Sequence, residues 1–418
     1  MNERDPIVIT GIGLAAPNGS SRGEYRAALL QGRSGVVAFE TRHLGIVPAG
    51  VCEFDEFQYQ RASVRRKGTR AGSVAIYCAR QALQDSQLDW PKVAVDRVGI
   101  CLGITEHGNV ETENQIHELG QYNNDIGTWS NYHNSRTVAN NPAGEVSINL
   151  GITGPHLTIG AACAAGNAGL IHGAQLLTLR EIDVALAGGV SESIRSFGIF
   201  ASFHSQRALA RHADPTKASR PFDLNRNGIV VSEGGGVFVL ERLSDARRRH
   251  ARIYAEIAGY AMNSDARDLV NPFAERQRQC MELALRRAGI DADEVCYLGT
   301  HATGTDRGDA VECESIQGLF GDRSGIHITN TKSLIGHTMG AAGAMETAAL
   351  LSAFEDGLIH PTINLDHRDS QCDLKQLVTQ SPRDLGNFEY GMVNSFGMLG
   401  INSTVILRRP RQPTTSTE

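Results

Sequence analysis

His156-Leu-Thr-Ile-Gly-Ala-Ala-Cys-Ala-Ala-Gly-Asn-Ala-Gly169 is the stretch from which the fold is read. His156–Gly160 has the composition of a strand. Gly160-Ala-Ala-Cys163-Ala-Ala-Gly166 is a turn of small residues, and a helix-like run continues to Leu179. Strand, sharp turn and helix in that order form the repeating unit of α/β proteins. A fainter copy follows later in the chain. Ile326-His-Ile-Thr-Asn330 is strand-like, Lys332 to His337 span the turn, and Met339-Gly-Ala-Ala-Gly343 opens a helix-like run to Phe354. Two related halves facing each other would bring both turns to one central site. Strand–turn–helix units are common in any α/β chain and would give the same echo without a duplication.

Outward from these two stretches, strand-like and helix-like segments alternate along all 418 residues. Strands are expected at Ile7–Thr10, Val98–Gly103, Val184–Ala187, Gly236–Glu241, Ile253–Ala258, Val295–Gly299 and Ile326–Thr329, and helices at Arg22–Leu30 and Arg70–Leu83. At about 150 residues per domain the length allows two or three domains. The expected division is residues 1–250, with an Asn-rich cap or dimer insertion at about 104–150, then 251–410, then a disordered Pro/Thr/Ser-rich tail at 411–418. An apolar fraction of 41% and a charged fraction of 21% are those of a soluble globular chain. No apolar run is long enough for a membrane span, and the N-terminus lacks the layout of a signal peptide, so the cytoplasm is expected. A net charge of −6 gives no reason to expect nucleic acid. The eight cysteines form no Cys-x-x-Cys pair and the histidines no His-x-x-x-His pair, so no metal site is expected.

Cys163 stands out among the cysteines because it sits where a strand turns into a helix. The positive end of the helix dipole favours thiolate there, small neighbours let a carbonyl approach, and free backbone N–H groups offer half of an oxyanion hole. Cys78 and Cys101 read as core. His301 ends a strand in Gly299-Thr-His-Ala-Thr-Gly-Thr-Asp306, where Thr303 and Thr305 could hold a polar substrate arm. His337 follows Lys332 by five residues, and Glu346 lies on the helix beyond it. A lone histidine is more often structural; two that each open a Gly/Thr-rich turn after a strand point to chemistry. Asn394-Ser-Phe-Gly-Met-Leu-Gly-Ile-Asn402 reads either as a hairpin connection or as the lining of a site. Gly11-Ile-Gly-Leu-Ala-Ala16 has the form of a dinucleotide-binding turn, but Pro17 stands where the helix of that motif should run.

With these residues in place, the chain resembles the β-ketoacyl-carrier-protein synthases of type II systems and their polyketide relatives. The resemblance runs from Val8-Ile-Thr-Gly-Ile-Gly13 to Leu407. It rests on the order Cys163, His301, Lys332, His337, Glu346 and Asn394-Ser-Phe-Gly, with Arg220-Pro-Phe-Asp, Ser232-Glu-Gly-Gly-Gly-Val and Pro361-Thr-Ile-Asn-Leu as further family segments. It implies a thiolase-like fold, two duplicated halves in a layered αβαβα arrangement. It also implies decarboxylative condensation of an acyl thioester held on Cys163 with a malonyl thioester on acyl carrier protein, in fatty-acid or specialised polyketide-type biosynthesis. His301 and His337 would support decarboxylation, and Lys332 and Glu346 would organise the charge around them. The N–H groups of Cys163 and Met398 would form the oxyanion hole. Thr303, Thr305, Phe396, Met398 and Leu399 would contact the phosphopantetheine arm or the acyl group. No cofactor is implied. The implied partners are an acyl carrier protein and a second copy of the chain, or a homologous subunit in its place.

The chain departs from the family at Ala165, usually Thr or Ser, and at Met398, Leu399 and Ile401, usually Phe, Gly and Thr. These changes point away from an ordinary saturated fatty acyl group. A degradative thiolase should carry a second catalytic cysteine near its end, in a Cys-x-Gly setting that this chain lacks. A non-condensing chain-length partner should lack the nucleophile, which is present here. Arg61, Arg65, Arg66, Lys67 and Arg70, with Arg207, form a basic set suited to an acidic carrier protein, or equally a solvated helix face.

Overall fold

The computed structural model describes residues 5–410. The tail expected to be disordered, residues 411–418, lies outside the described residues. Apolar runs such as Val184-Ala-Leu-Ala-Gly-Gly-Val do not alternate with polar residues, which marks strands covered on both faces. Ten strands build one sheet: β1 (Ile7–Ala15), β2 (Val98–Ile104), β3 (His156–Gly160), β4 (Val184–Ser191), β5 (Gly234–Arg242), β6 (Ala255–Ser264), β7 (Val295–Gly299), β8 (His327–Thr329), β9 (Tyr390–Gly397) and β10 (Ile401–Arg408). Their order is β8-β7-β9-β10-β6-β1-β5-β4-β2-β3. Outward from the centre, β1-β5-β4-β2-β3 is matched strand for strand by β6-β10-β9-β7-β8.

The pairing repeats as well. β1 is antiparallel to β5 and β6 to β10. β5 is antiparallel to β4 and β10 to β9. The outer strands of each half run parallel. Within the sheet, the two halves pair at Val8 opposite Glu256 and Ile9 opposite Ala255. Topology therefore decides the question that the sequence echo left open: the chain is a duplication.

Five helices complete the layers: α1 (Arg70–Ser86), α2 (Ala165–Thr178), α3 (Ala274–Ala288), α4 (Asp306–Phe320) and α5 (Ala342–Asp356). Val74, Ile76 and Cys78 of α1 share a buried cluster with Leu186, Val237 and Val239 of the first half. Cys280, Met281 and Leu285 of α3 do the same with Leu298, Met392 and Ile406 of the second. Between the halves, Leu170, Ile171 and Leu177 of α2 pack with Ala348, Leu350 and Leu351 of α5, and with Val393 and Val405. The succession is helix, sheet, helix, sheet, helix. Segment 104–150 carries helices Asn109–Gln121, His133–Thr137 and Ala143–Leu150. Among the described residues no helix is long and apolar enough to cross a membrane.

Gly11 and Gly13 lie inside β1 and not in a turn. A Cβ on Gly13 would overlap the carbonyl oxygen of Cys78, and one on Gly11 that of Ala82. The glycines let α1 approach the strand backbone, which disposes of the dinucleotide-binding form of this segment. Gly13→Ala should therefore lower stability by about 1–3 kcal/mol through overpacking. Thermal unfolding measures this, and an unchanged midpoint would contradict the close approach.

Candidate active site

The first turn starts where β3 ends. Ala162 adopts a left-handed φ of 46°, and Cys163 sits in the single 3-10 turn Ala162–Ala164 before α2 begins. Two hydroxyls hold this turn: Thr105 Oγ1 donates to the Ala162 carbonyl at 3.1 Å and Ser395 Oγ to that of Cys163 at 3.0 Å. The second half repeats the device. Met339 also adopts φ 46° and opens the 3-10 turn Met339–Ala341 before α5. Position for position, Gly340 answers Cys163, and His337 stands two residues before Met339.

The two turns meet. His337 Nε2 lies 3.1 Å from Cys163 Sγ. The His301 and His337 rings stand edge to face, with centroids 5.2 Å apart. The Met339 N–H donates to His337 Nδ1 at 3.3 Å, which leaves the imidazole hydrogen on Nε2, facing the sulfur. Beneath both rings, the buried Lys332 Nζ pairs with Glu346 Oε1 at 3.0 Å and donates to the Thr300 carbonyl at 3.4 Å. Burial, and then the Lys332 charge, hold both histidines well below their usual range, so both are neutral donors at neutral pH.

Burial also pushes the Cys163 thiol up to about 12, against the opposing pull of Lys332 and the backbone amides of Cys163 and Met398. This corrects the expectation of a thiolate made by the helix terminus. Desolvation outweighs the amides and the Lys332 charge there, so the resting group is a thiol.

Two acids that the sequence reading did not single out shape the His301 loop. Glu312 of α4 accepts from the N–H groups of His301 at 2.8 Å and Ala302 at 2.5 Å. Asp309 accepts from Thr303 at 2.9 Å, Gly304 at 3.1 Å and Phe222 at 2.9 Å. Acids six to eleven residues after a polar loop are the only trace of this in the sequence, and it is a weak one.

A cavity of about 510 Å³ leads from the surface to Cys163, His301 and His337. Thr303, Thr305, Phe396 and Met398 line it as expected, joined by Phe203, Ile229, Asn271, Gln277 and Arg307. Leu399 does not. It is 67% exposed, adopts φ 63°, and gives its N–H to the Leu269 carbonyl at 3.0 Å. Its assignment to substrate binding is corrected: in this conformation the side chain points to solvent.

The basic set is divided. Arg70 is withdrawn from docking, because it lies under the surface, paired with Glu56 and with Glu233 at 2.7 Å. Arg65 is paired with Glu56. Arg66 and Lys67 are exposed, and so is Arg207, beside the cavity residues Gln206 and Ala208.

Residues 4–246 match the model of the beta-ketoacyl synthase N-terminal domain and residues 254–366 that of its C-terminal domain. The 3-oxoacyl-[acyl-carrier-protein] synthase 2 of Vibrio cholerae is 33% identical over 96% of this chain and 99% of its own. The ishigamide ketosynthase/chain length factor superposes with a TM-score of 0.90 at 30% identity, over 98% of this chain and all of that one. A type II PKS ketosynthase, bound to the hexaketide and in complex with its acyl-carrier protein, superposes with a TM-score of 0.88 at 26% identity, over 98% of this chain and 100% of that one.

A thiol held this high predicts a pH signature. Alkylation of Cys163 by iodoacetamide should rise roughly tenfold per pH unit from about pH 6 to pH 9, with no plateau, because only the thiolate reacts. The histidines stay neutral in that window and add no step. Peptide mapping of the labelled protein reads the rate, and a flat profile would show a resident thiolate.

Proposed function

The chain belongs to the beta-ketoacyl synthase family and is a condensing acyltransferase, and we propose that its two half-turns divide the reaction between them. In the first step the Cys163 sulfur attacks the carbonyl of an acyl thioester. The N–H groups of Cys163 and Met398 take the developing oxyanion. The carrier thiol leaves with the proton that the cysteine gives up, and the acyl group stays on Cys163. In the second step a malonyl thioester loses carbon dioxide, and the electron pair of the broken bond becomes an enolate. The hydrogen on His337 Nε2 and the His301 ring are placed to donate to the enolate oxygen. The enolate carbon then attacks the acyl carbonyl, and the cysteine sulfur departs as the new carbon–carbon bond forms.

The observation that carries this reading is the 3.1 Å approach of a neutral, Nε2-protonated His337 to Cys163, with His301 beside it. The sulfur and the two ring nitrogens also lie within 4.8 Å of one another, a spacing open to a metal ion. The Lys332 ammonium acts on all three groups and opposes a cation, so the reading without a metal or other cofactor is preferred. Thr303 and Thr305, their hydroxyls 3.3 Å apart on the cavity wall, suit the amides of a pantetheine arm.

An acyl carrier protein is the proposed partner. Arg61, Arg66, Lys67 and Arg207 are the exposed cations of the basic set, with Arg65 behind them. A second copy of the chain is proposed at β3, which among the described residues pairs on one side only and leaves Leu157 exposed. Cytoplasmic residence and a specialised pathway are part of the same proposal. Met398 supports the latter, since a flexible side chain replaces the family's rigid ring on the cavity wall.

Two outcomes test these assignments. His301→Ala and His337→Ala should each lose condensation by about 10²–10³, the cost of removing one donor to a developing oxyanion. Both should still take an acyl group on Cys163, read by intact mass; near-normal condensation in either would refute the role. Reversing Arg66 and Lys67 to Glu should raise KM for acyl carrier protein more than for a small thioester, and more so at low salt, where the screening length exceeds about 10 Å. An equal effect on both substrates would remove this surface from docking.

A further inference from the structure

Cys313 and Cys372 take no part in the mechanism above, yet they are set face to face. Cys313 lies on the buried side of α4, and Cys372 ends the 3-10 turn Ser370–Cys372; both belong to the apolar cluster of the second half. Two contacts clamp this turn to the helix on either side of them. One helical turn after Cys313, Gln317 Nε2 donates to the Asp373 carbonyl at 3.1 Å. One helical turn before it, Asp309 shares Arg226 with Asp369, at 3.9 Å and 2.6 Å. Residues 309, 313 and 317 follow one face of a helix. The clamps therefore leave the Cys313 and Cys372 side chains opposite each other, and the two thiols are hydrogen-bonded.

Other buried thiols are spent differently. Cys52, Cys78 and Cys280 each donate to a backbone carbonyl, of Glu233, Gly235 and Ala261. Access also favours the pair. Ser370, Gln371 and Asp373 around Cys372 are exposed, and a cleft of about 730 Å³, lined by Ala310, Glu314, Asp369 and Gln371, follows the seam between the turn and α4.

We propose that Cys313 and Cys372 are a redox pair, which hydrogen peroxide joins in a disulfide, and that the disulfide slows condensation. The second part rests on the reading of His301 as a donor to the enolate. The Cys372 sulfur, nearer the surface, attacks one peroxide oxygen. The O–O bond breaks, and the departing hydroxide leaves as water with the Cys372 thiol hydrogen. The Cys313 sulfur then attacks the sulfenic sulfur, and the S–O bond breaks to release a second water with the Cys313 hydrogen. Two electrons pass from the thiols to the peroxide, and a reductant returns them. A disulfide holds its sulfurs about 2.05 Å apart, so bond formation draws the turn and α4 together. Asp309 and Glu312, four and one residues before Cys313, hold the backbone of the His301 loop. A shift of α4 is thus passed to the imidazole.

The test begins with the enzyme acylated on Cys163, so that this sulfur is shielded, and then exposed to hydrogen peroxide. Non-reducing peptide mapping should find Cys313 linked to Cys372. Single-turnover condensation with malonyl-acyl carrier protein should fall by roughly tenfold to a hundredfold, the cost of misplacing a reacting group by about 1 Å. A phosphine reductant, which spares the thioester, should restore the rate. Cys313→Ala should show neither the link nor the loss, and Cys372→Ala covers the case in which the first variant does not fold. No linked peptide in wild type, a linked protein that condenses at the untreated rate, or an equal loss in both variants would overturn the proposal and leave the condensing reading standing. An untreated enzyme that takes no acyl group or does not condense would overturn that reading instead, while the peptide map still decides whether the two thiols join.

Discussion

Two helix N-termini that meet backbone to backbone are the constraint from which the site follows. A Cβ on Gly166 of α2 would stand 3.0 Å from the Gly340 carbonyl oxygen and 3.0 Å from the Ala344 nitrogen. A Cβ on Gly343 of α5 would overlap the Asn167 side chain, and one on Gly189 would overlap the Gly340 carbonyl. A side chain at Gly166, Gly343 or Gly189 would force the two turns apart, and its absence lets His337 Nε2 stand 3.1 Å from Cys163 Sγ. Ala162 and Met339, at the same left-handed φ, are the two copies of the bend that makes this possible. Each left-handed residue costs about 1–2 kcal/mol, which the packing of α2 against α5 offsets. A duplicated unit facing its copy then yields one asymmetric site, with a nucleophile from one turn and a donor from the other.

Electrostatics follow from the burial that this meeting creates. Lys332 and Glu346 are almost wholly enclosed, 2% and 0% exposed at their side chains. Such a pair is weak support for stability, since desolvation consumes most of the attraction. Its effect on its neighbours is larger. Burial first, and the ammonium second, keep the histidines neutral, and each neutral imidazole retains one N–H with which to donate to an enolate. The same enclosure raises the thiol, so the enzyme rests protonated and forms the reactive sulfur as the substrate arrives.

How far the sequence revealed this depended on what kind of fact was sought. Cys163, His301 and His337 were legible because each stands in a turn whose small or hydroxylated neighbours have little other use. The duplication was visible only as a faint echo, since the halves share topology and bend positions more than residues. Glu312 and Asp309 were not legible, because a buried acid is defined by the backbone amides around it. Arg70 and Leu399 were misplaced for a related reason. A charged residue in a basic run and an apolar residue in a site loop carry no mark of which way they face, and here Arg70 turns in to Glu233 while Leu399 turns out to solvent.

The claim that each half-turn carries its own step is open to a direct measurement: release of carbon dioxide from malonyl-acyl carrier protein by the Cys163→Ala protein. The account predicts that decarboxylation persists without the sulfur, because the donors to the enolate come from His301 and His337 and their protonation is set by Lys332 and burial. Loss of carbon dioxide release in that protein, with its fold and carrier binding intact, would contradict it.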